Sequence, residues 1–580
     1  QIDENVMRAG CAAAYSFLLG NSVAQKAFLR RGGVRALADC LHDYDIKVRL
    51  LALQSIAILC SKQEQCLDEV RKTGILKHVI SILNDFPADD VNVDVAIAAA
   101  DVLAHCVNDN VANQELVQGN HGLATLRKVF EWCVTWRSTQ VPGADGQTSA
   151  VKGLPASPRK RKNAWGIASV LENVCSALSN LAFRNQSNQN EMLKNGTLAL
   201  CISTLCNRAG TEFGGLALGT GAGLDAAAGL PCRPLELTVA ILNIIINGVD
   251  ANPDNQVAVG VEDTVALLST LIGPTDVSKN GACGPGLPLF RNDEGLLSHM
   301  SPDRLLWHMQ RVAAMSCLLL SHLAWDNPAT QAHLGNDERV MQLVFLIDTG
   351  SEFGKALVVY NGDAVTSSAS QEKGAVEDSN TLLRNGAGGI FSVDEQFAGR
   401  DEVRLYALMA LINLCYHNLI VQNIVNGLRL KDGRTTFDVI LSIVSSELFD
   451  VRKAAVFCLD NLVTSHRENS RLLAEAGGVL SLVALLNDDD EDEISKKAFR
   501  TLTSMSDIAL SVILSHVAAL CCGIEGVTNA IGAGLAAQKG MPALSKEALE
   551  SISSIAAKER NYYLNIDSGE EGVKVSEWED

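Results

Sequence analysis

Positive charge and aromatic side chains are the scarce commodities of this 580-residue chain: 48 Lys and Arg stand against 67 Asp and Glu, for a formal net charge of −19, and Phe, Trp and Tyr make up only 5%. The acidic balance argues against nucleic acid as a partner, because binding phosphates requires clustered Lys and Arg. A basic or amphiphilic protein partner fits better. The signatures of chemistry are missing too. There is no P-loop, no HExxH and no GxSxG, and GTGAGL (Gly219 to Leu224) departs from a dinucleotide loop because Leu224 stands where GxGxxG needs glycine. The 11 His are scattered. We therefore expect a protein that is not an enzyme and has no cofactor and no metal site.

No CxxC pair occurs among the 16 Cys, which lie in apolar segments such as AILC, LAHCV and INLCY. That pattern predicts buried free thiols in a reducing, cytoplasmic compartment rather than a disulfide framework or a zinc site. It also discounts the glycosylation sequons at Asn185 and Asn195. No signal peptide is visible. Ile508 to Ile524 lacks Asp, Glu, Lys and Arg, but Ser511, Ser515 and His516 favour a buried terminal helix over a membrane span.

What the chain has in quantity is Ala, Leu, Val, Ser and Asn, which suits closely packed helices and an all-α body. A unit of two helices after a glycine recurs: RRGGVRALADCLHDYDIKVRLLALQSIAIL from Arg30, KTGILKHVISIL from Lys72, KNGTLALCISTL from Lys194 and EAGGVLSLVALLNDDDEDEISKKAFRTLTSM from Glu475. Each glycine can end a helix in a left-handed conformation, and apolar residues then follow at i, i+3, i+4 spacing. A longer helix also recurs, as in DVAIAAADVLAHCV, ENVCSALSNLAF, ELTVAILNIIIN, EVRLYALMALINLCY and DVRKAAVFCLDNLV.

These long helices resemble the third helix of armadillo repeats, and the turn after them (LAFRNQSNQNEMLKNG) is similar to that family's short first helix. The resemblance implies a right-handed α-solenoid of about eight or nine three-helix repeats over residues 1–520; a HEAT-type array is the structural alternative. Stacked units would bury a continuous core and leave polar end caps. Ser138 to Lys162, Ala209 to Cys232, Gly273 to Pro302 and Gly350 to Ala398 read as loop inserts, 521–565 as capping helices and 566–580 as an acidic flexible tail. The acidic run from Asn487 to Glu493 reads as the start of a helix, whose amino end favours negative charge.

In an armadillo array the long helices line a groove, so a polar residue repeated at one register forms a ladder. Alignment on ALSNLA places Asn180, Asn243, Asn413 and Asn461 in that register, with His105, His322, Ser55, Ser504 and Phe17 at the remaining rungs. Asn both donates and accepts, and can clasp an extended backbone without reading its side chains; an amide bonding only water or a neighbouring turn is the alternative. One turn earlier, where importin-α-like proteins carry Trp, stand Ser176, Val239, Met409 and Phe457, so a nuclear-transport adaptor is disfavoured. Arg49, Arg404 and Arg452 begin long helices but give little support to a basic, β-catenin-like groove. A separate basic run, Ser157, Arg159, Lys160, Arg161 and Lys162, reads as a contact or regulatory loop.

The expectation is a protein-binding scaffold that holds extended segments or helices in its groove. The resemblance adds cytoskeletal, ciliary or axonemal assemblies as a setting, with a chaperone co-factor or a nucleotide-exchange regulator of an Hsp70 or small GTPase as the alternative.

Overall fold

A computed structural model describes residues 4–42, 45–86, 93–135, 158–209, 234–272, 302–349, 399–430, 432–487 and 492–505. Among these residues the only non-helical pairing is one isolated bridge between Arg429 and Thr435. The helices follow a cycle of a long helix, a short one and a third, called intermediate, that is longer than the short one in five of the eight triplets. The cycle opens with α1 (Glu4–Leu18), α2 (Ser22–Arg30) and α3 (Gly33–Cys40), then α4 (Ile46–Cys60), α5 (Glu64–Thr73) and α6 (Ile75–Asp85). It continues with α7 (Val93–Val107), α8 (Val111–Gly119) and α9 (Gly122–Thr135), then α10 (Pro158–Ala182), α11 (Gln186–Lys194) and α12 (Thr197–Ala209). Next come α13 (Pro234–Val249), α14 (Pro253–Val259) and α15 (Glu262–Ile272), then α16 (Pro302–Ala324), α17 (Pro328–Leu334) and α18 (Asp337–Thr349). The last two full cycles are α19 (Gly399–Cys415), α20 (Leu419–Gly427) and α21 (Thr436–Leu441), and α22 (Phe449–Val463), α23 (Arg467–Glu475) and α24 (Gly478–Ala484). With α25 (Asp492–Ser504) as a further long helix, the described residues hold eight triplets and the start of a ninth, an armadillo-like repeat fold.

Two compact units divide the chain: residues 1–333 with 350–406, and 334–349 with 407–580. Within the first, the long helices α1, α4, α7, α10, α13 and α16 pack each against the next, as do the intermediate helices α6, α9, α12 and α15 and the short helices α5, α8, α11 and α14. The second repeats the scheme with α22 on α25, α20 on α23 and α21 on α24. A triplet cannot enclose its own apolar faces, and stacking buries them between neighbours.

The corner from long to short helix is built the same way in every triplet but the second, where the N-cap Gln63 makes no side-chain bond and no residue has positive φ. A residue with positive φ (Gly20, Asp109, Arg184, Ala251, Asp326, His417 or Ser465) turns the chain. The next residue caps the short helix. Asn21, Asn110, Asn185, Asn252, Asn327 and Asn418 each accept a hydrogen bond at Oδ1 from the backbone N–H three residues on, and His466 does so through Nδ1. Such a cap satisfies one of the unpaired donors at a helix start and contributes about 1 kcal/mol. Only the first of these turns uses glycine, so elsewhere the cap and the packing hold an L-residue in the left-handed region.

The second corner, from short to intermediate helix, sets how closely the two can approach. At Gly122 an added Cβ would stand 2.9 Å from the Val117 carbonyl oxygen, and at Gly478 it would stand 2.8 Å from that of Leu473. The residue before each has positive φ, His121 and Gly477.

Some boundaries differ from the expectation. Pro158 to Lys162 open helix α10 instead of lying in a loop, because the long-helix pattern extends back to a proline, which is well placed at a helix start. Arg159, Lys160, Arg161 and Lys162 are therefore helical, and Ser157 lies outside the described residues. Ala209 likewise ends α12 and Pro302 begins α16. The acidic run does lead into a helix, with Asp492 and Glu493 in the first turn of α25. The readings of Ile508 to Ile524, 521–565 and 566–580 lie outside the described residues. No helix among the described residues is long and apolar enough to cross a membrane.

Candidate partner-binding site

Each long helix is closed on most of its circumference and keeps partly open positions along one stripe, at sixteen, thirteen, nine and five residues before the N-cap that follows it, except that Val239 and Asn247 in α13 and Ala314 and Leu318 in α16 are buried. In α7 the stripe is Asp94, Ile97, Asp101 and His105; in α10 it is Ser169, Glu172, Ser176 and Asn180. α13 contributes Glu236 and Asn243, and α16 contributes Arg311 and His322. In the second unit α22 offers Asp450, Lys453, Phe457 and Asn461.

Counting from the N-cap corrects the ladder. Asn180, His105, His322, Asn413 and Asn461 all stand five residues before their caps, but in α13 that place belongs to Asn247. Asn243 sits one turn earlier, in line with Asp101, Ser176, Met409 and Phe457, where Val239 was expected. By the same count Ser16 and Ile58 replace Phe17 and Ser55. The cause is the local sequence: NIIINGVD offers two Asn a turn apart, and matching the apolar letters of ALSNLA chose the wrong one. Aligning on the cap, Asn252, would have chosen correctly.

The rungs are tied from helix to helix. Asn180 Nδ2 donates to the carbonyl oxygen of Ala104 at 3.0 Å, the residue before His105 in the preceding long helix. Asn461 Nδ2 donates to Ile412 at 3.0 Å, the residue before Asn413. Asn247 Nδ2 reaches the Ser179 carbonyl at 3.1 Å and its hydroxyl at 2.8 Å. A second such tie runs from Asn173 to the Ile97 carbonyl at 3.1 Å. His322 instead faces Asp250 at 3.5 Å, and His105 faces Asp101 at 3.4 Å on its own helix. Burial holds His322 below the ordinary histidine value, with the Asp250 carboxylate opposing the shift. Asn413 has partners of its own, whereas Asn243 is half-open and makes no hydrogen bond.

Phe457, at the place where importin-α-like proteins carry Trp, already supports the chain's own cations: Lys497 Nζ lies 4.5 Å and Lys453 Nζ 5.8 Å from its ring centre. Lys497 also pairs at 2.9 Å with Asp460, a fully buried carboxylate, and this fixes α25 against α22.

A second set of amides went unassigned in the sequence reading. Asn113 and Gln114, Asn188 and Gln189, and Asn255 and Gln256 occupy the first turns of the short helices and are buried. Each donates to a carbonyl seven residues earlier, at the end of the long helix: Asn188 to Leu181 at 2.8 Å and Gln189 to Ala182 at 3.1 Å, for example. The glutamines also bridge triplets. Gln114 donates to the Asn180 carbonyl, Gln189 to that of Asn247 and Gln422 to that of Asn461, each at 2.9 Å. The caps join in, with Asn185 Nδ2 donating to Gln114 Oε1 and Asn252 Nδ2 to Gln189 Oε1. The sequence signal was the Asn-Gln pair three and four residues after the caps Asn110, Asn185 and Asn252, in NQELV, NQNEM and NQVAV.

The thiols are free among the described residues, and burial raises those of Cys201, Cys206 and Cys317 to about 12, about 11 and above the usual range respectively. Groups that could hold a metal ion are absent among the described residues.

No protein-family model matches this chain, and no curated protein does. Among solved structures, an engineered protein from the Northeast Structural Genomics Consortium is similar at 15% identity and a TM-score of 0.42, over 87% of this chain and 96% of its own. A designed armadillo repeat protein is similar at 14% identity and a TM-score of 0.32, over 48% of this chain and 90% of its own. At such scores the likeness adds nothing to the fold, which rests on the repeated triplets themselves.

Proposed function

We propose that this chain is a non-enzymatic scaffold that holds segments of partner proteins against the open stripes of its long helices. The observation that carries the reading is the stripe itself: polar residues left partly open, at the same register in successive helices, on backbones tied together by Asn173, Asn180 and Asn247. A rigid surface of this kind binds without the entropic cost of ordering itself. Asp94, Asp101, Glu172 and Glu236 outnumber Arg311 on the first unit's stripe and give it a negative sign, which favours a segment bearing Lys or Arg. Asn243 supplies an uncommitted amide for the partner's backbone.

The long Gly- and Ala-rich stretches between triplets suit several simultaneous contacts, and membership of a large assembly, of the cytoskeletal or axonemal kind, is the setting we propose for them. The test is affinity capture from cells with the full chain and with a variant carrying Asn243→Ala, Asp101→Ala and Glu172→Ala. Partners should be lost from the variant while its helicity and melting stay unchanged. An identical partner set from both proteins would overturn the reading.

A further inference from the structure

Every corner from long to short helix but the second is closed by an amide. It stands three or four residues after the cap and donates to a carbonyl seven residues back, as Gln25 does to Leu18, Gln331 to Ala324 and Asn469 to Leu462. The second corner has none. Its N-cap, Gln63, has nearly the backbone of the others, φ −133° and ψ 104° against −129° and 89° at Asn185, but accepts no bond from the short helix. Its amide instead donates to Gln25 Oε1 of the preceding corner, at 3.1 Å. Cys66 and Leu67 stand where the closing amides would be.

Sulfur takes the place of the amides. Cys66 Sγ lies 3.5 Å from Cys60 Sγ at the end of α4, and Cys106 in the next long helix donates to Cys60 Sγ at the same distance. All three thiols are free and buried. The hydrogen bond from Cys106 raises the Cys60 thiol and the one with Cys60 raises the Cys66 thiol, with burial adding to both, so the pair stays protonated and inert while the corner is shut. The way in is the helix start. Cys66 lies in the first turn of α5, and a first turn without a side-chain cap opens more often than a capped one. Cys106 sits within the packing of α4 on α7 and has no such opening of its own.

We propose that Cys60 and Cys66 form a redox modification site, at which a hydroperoxide joins them in a disulfide that closes the second corner covalently. When the first turn of α5 opens, Cys66 attacks the peroxide as thiolate, the O–O bond breaks, and the sulfur keeps one oxygen as a sulfenic acid while the other leaves with the thiol's proton as water or an alcohol. When the turn closes, the Cys60 sulfur attacks the sulfenic sulfur, the S–S bond forms, and the hydroxyl leaves with the Cys60 proton as water. The two thiols have given two electrons and the peroxide has taken them. A dithiol reductant reverses the bond, and in a reducing setting all three cysteines remain thiols, as the sequence pattern predicts. The site is internal and makes no use of the open stripes, so its failure would leave the scaffold reading standing.

Brief exposure of the folded full chain to hydrogen peroxide, followed by alkylation under denaturing conditions and peptide mass mapping, tests it. Cys60 and Cys66 should be linked, and released by dithiothreitol, while the buried thiols Cys201 and Cys317 stay reduced. Gln63→Asn supplies the missing cap without touching a thiol and should slow the linkage about fivefold. Hydrogen exchange in the first turn of α5 should slow on peroxide treatment of the wild type and not of Cys66→Ser. Cys60 and Cys66 left reduced, a bond from Cys60 to Cys106 as the main product, or an unchanged rate in Gln63→Asn would overturn the proposal.

Discussion

The corners and the open stripes of this array are both rich in amides, and the same residue type has opposite duties in the two. At the corners Asn188, Gln189 and Asn255 are sealed, each bonded to carbonyls of the long helix before it, and the glutamines also bond the neighbouring triplet. On the stripes Asn180 and Asn461 give one bond each to the preceding helix and remain half-open, and Asn243 gives none. Burial decides the difference: a sealed donor must be paired or the fold loses free energy, whereas a half-open one can trade its partner for water. Position relative to the N-cap, and not residue identity, assigns the duty.

The largest effect that would sharpen this contrast is expected from Gln189→Ala. Its Nε2 reaches the carbonyls of Ala182, Asn247 and Asp250, and its Oε1 accepts from Asn252, so removal should cost about 3 kcal/mol in urea unfolding. Gly122→Val should follow at about 2 kcal/mol, because the new side chain meets the Val117 backbone; a loss under about 0.5 kcal/mol would show that the corner is looser than drawn. Asn180→Ala removes a single half-open bond and should cost about 1 kcal/mol. Asn243→Ala should leave the melting curve where it is, and a marked drop there would erase the distinction between the two classes of amide.

A separate, modest effect concerns pH. The rings of His42 and His78 meet edge to face, 3.9 Å between centres, and burial with His42 nearby lowers the titration of His78. A histidine depressed in the folded state binds its proton more readily when unfolded, so stability should fall as pH drops below the ordinary value of about 6.5. The wild-type chain should therefore lose a few degrees of melting temperature toward pH 5.5, and His78→Asn should lose less. His322, also lowered by burial, adds to the same slope.

Much of the fold was legible in the sequence, because a repeat announces itself many times over: recurring helix pairs followed from glycine placement and apolar spacing, and the three-helix cycle from the resemblance to armadillo repeats. The site was less legible. A ladder read by matching apolar letters slipped one turn at Asn243, since Ile and Leu on a helix look alike every three or four residues. The caps at Asn110, Asn185 and Asn252 do not slip, because only one position can pair with the amide three residues on. The exposure of Val6 and Phe17 in α1 was illegible for a different reason: both obey the pattern of a buried stripe, and only the structure shows them open among the described residues.

Besides the bonds from its glutamine to the neighbouring triplet, each of these corners has bonds that reach only seven residues back along the chain. Each turn of the array can therefore close soon after its own residues are in place, without waiting for distant segments to find one another. Folding of such a chain has many equivalent starting points and few long loops to close, which favours speed over a single cooperative event. Damage to one corner should then spread to its neighbours and fade, so that hydrogen exchange in Gln189→Ala would quicken around α10 to α14 and stay slow in α22 to α24.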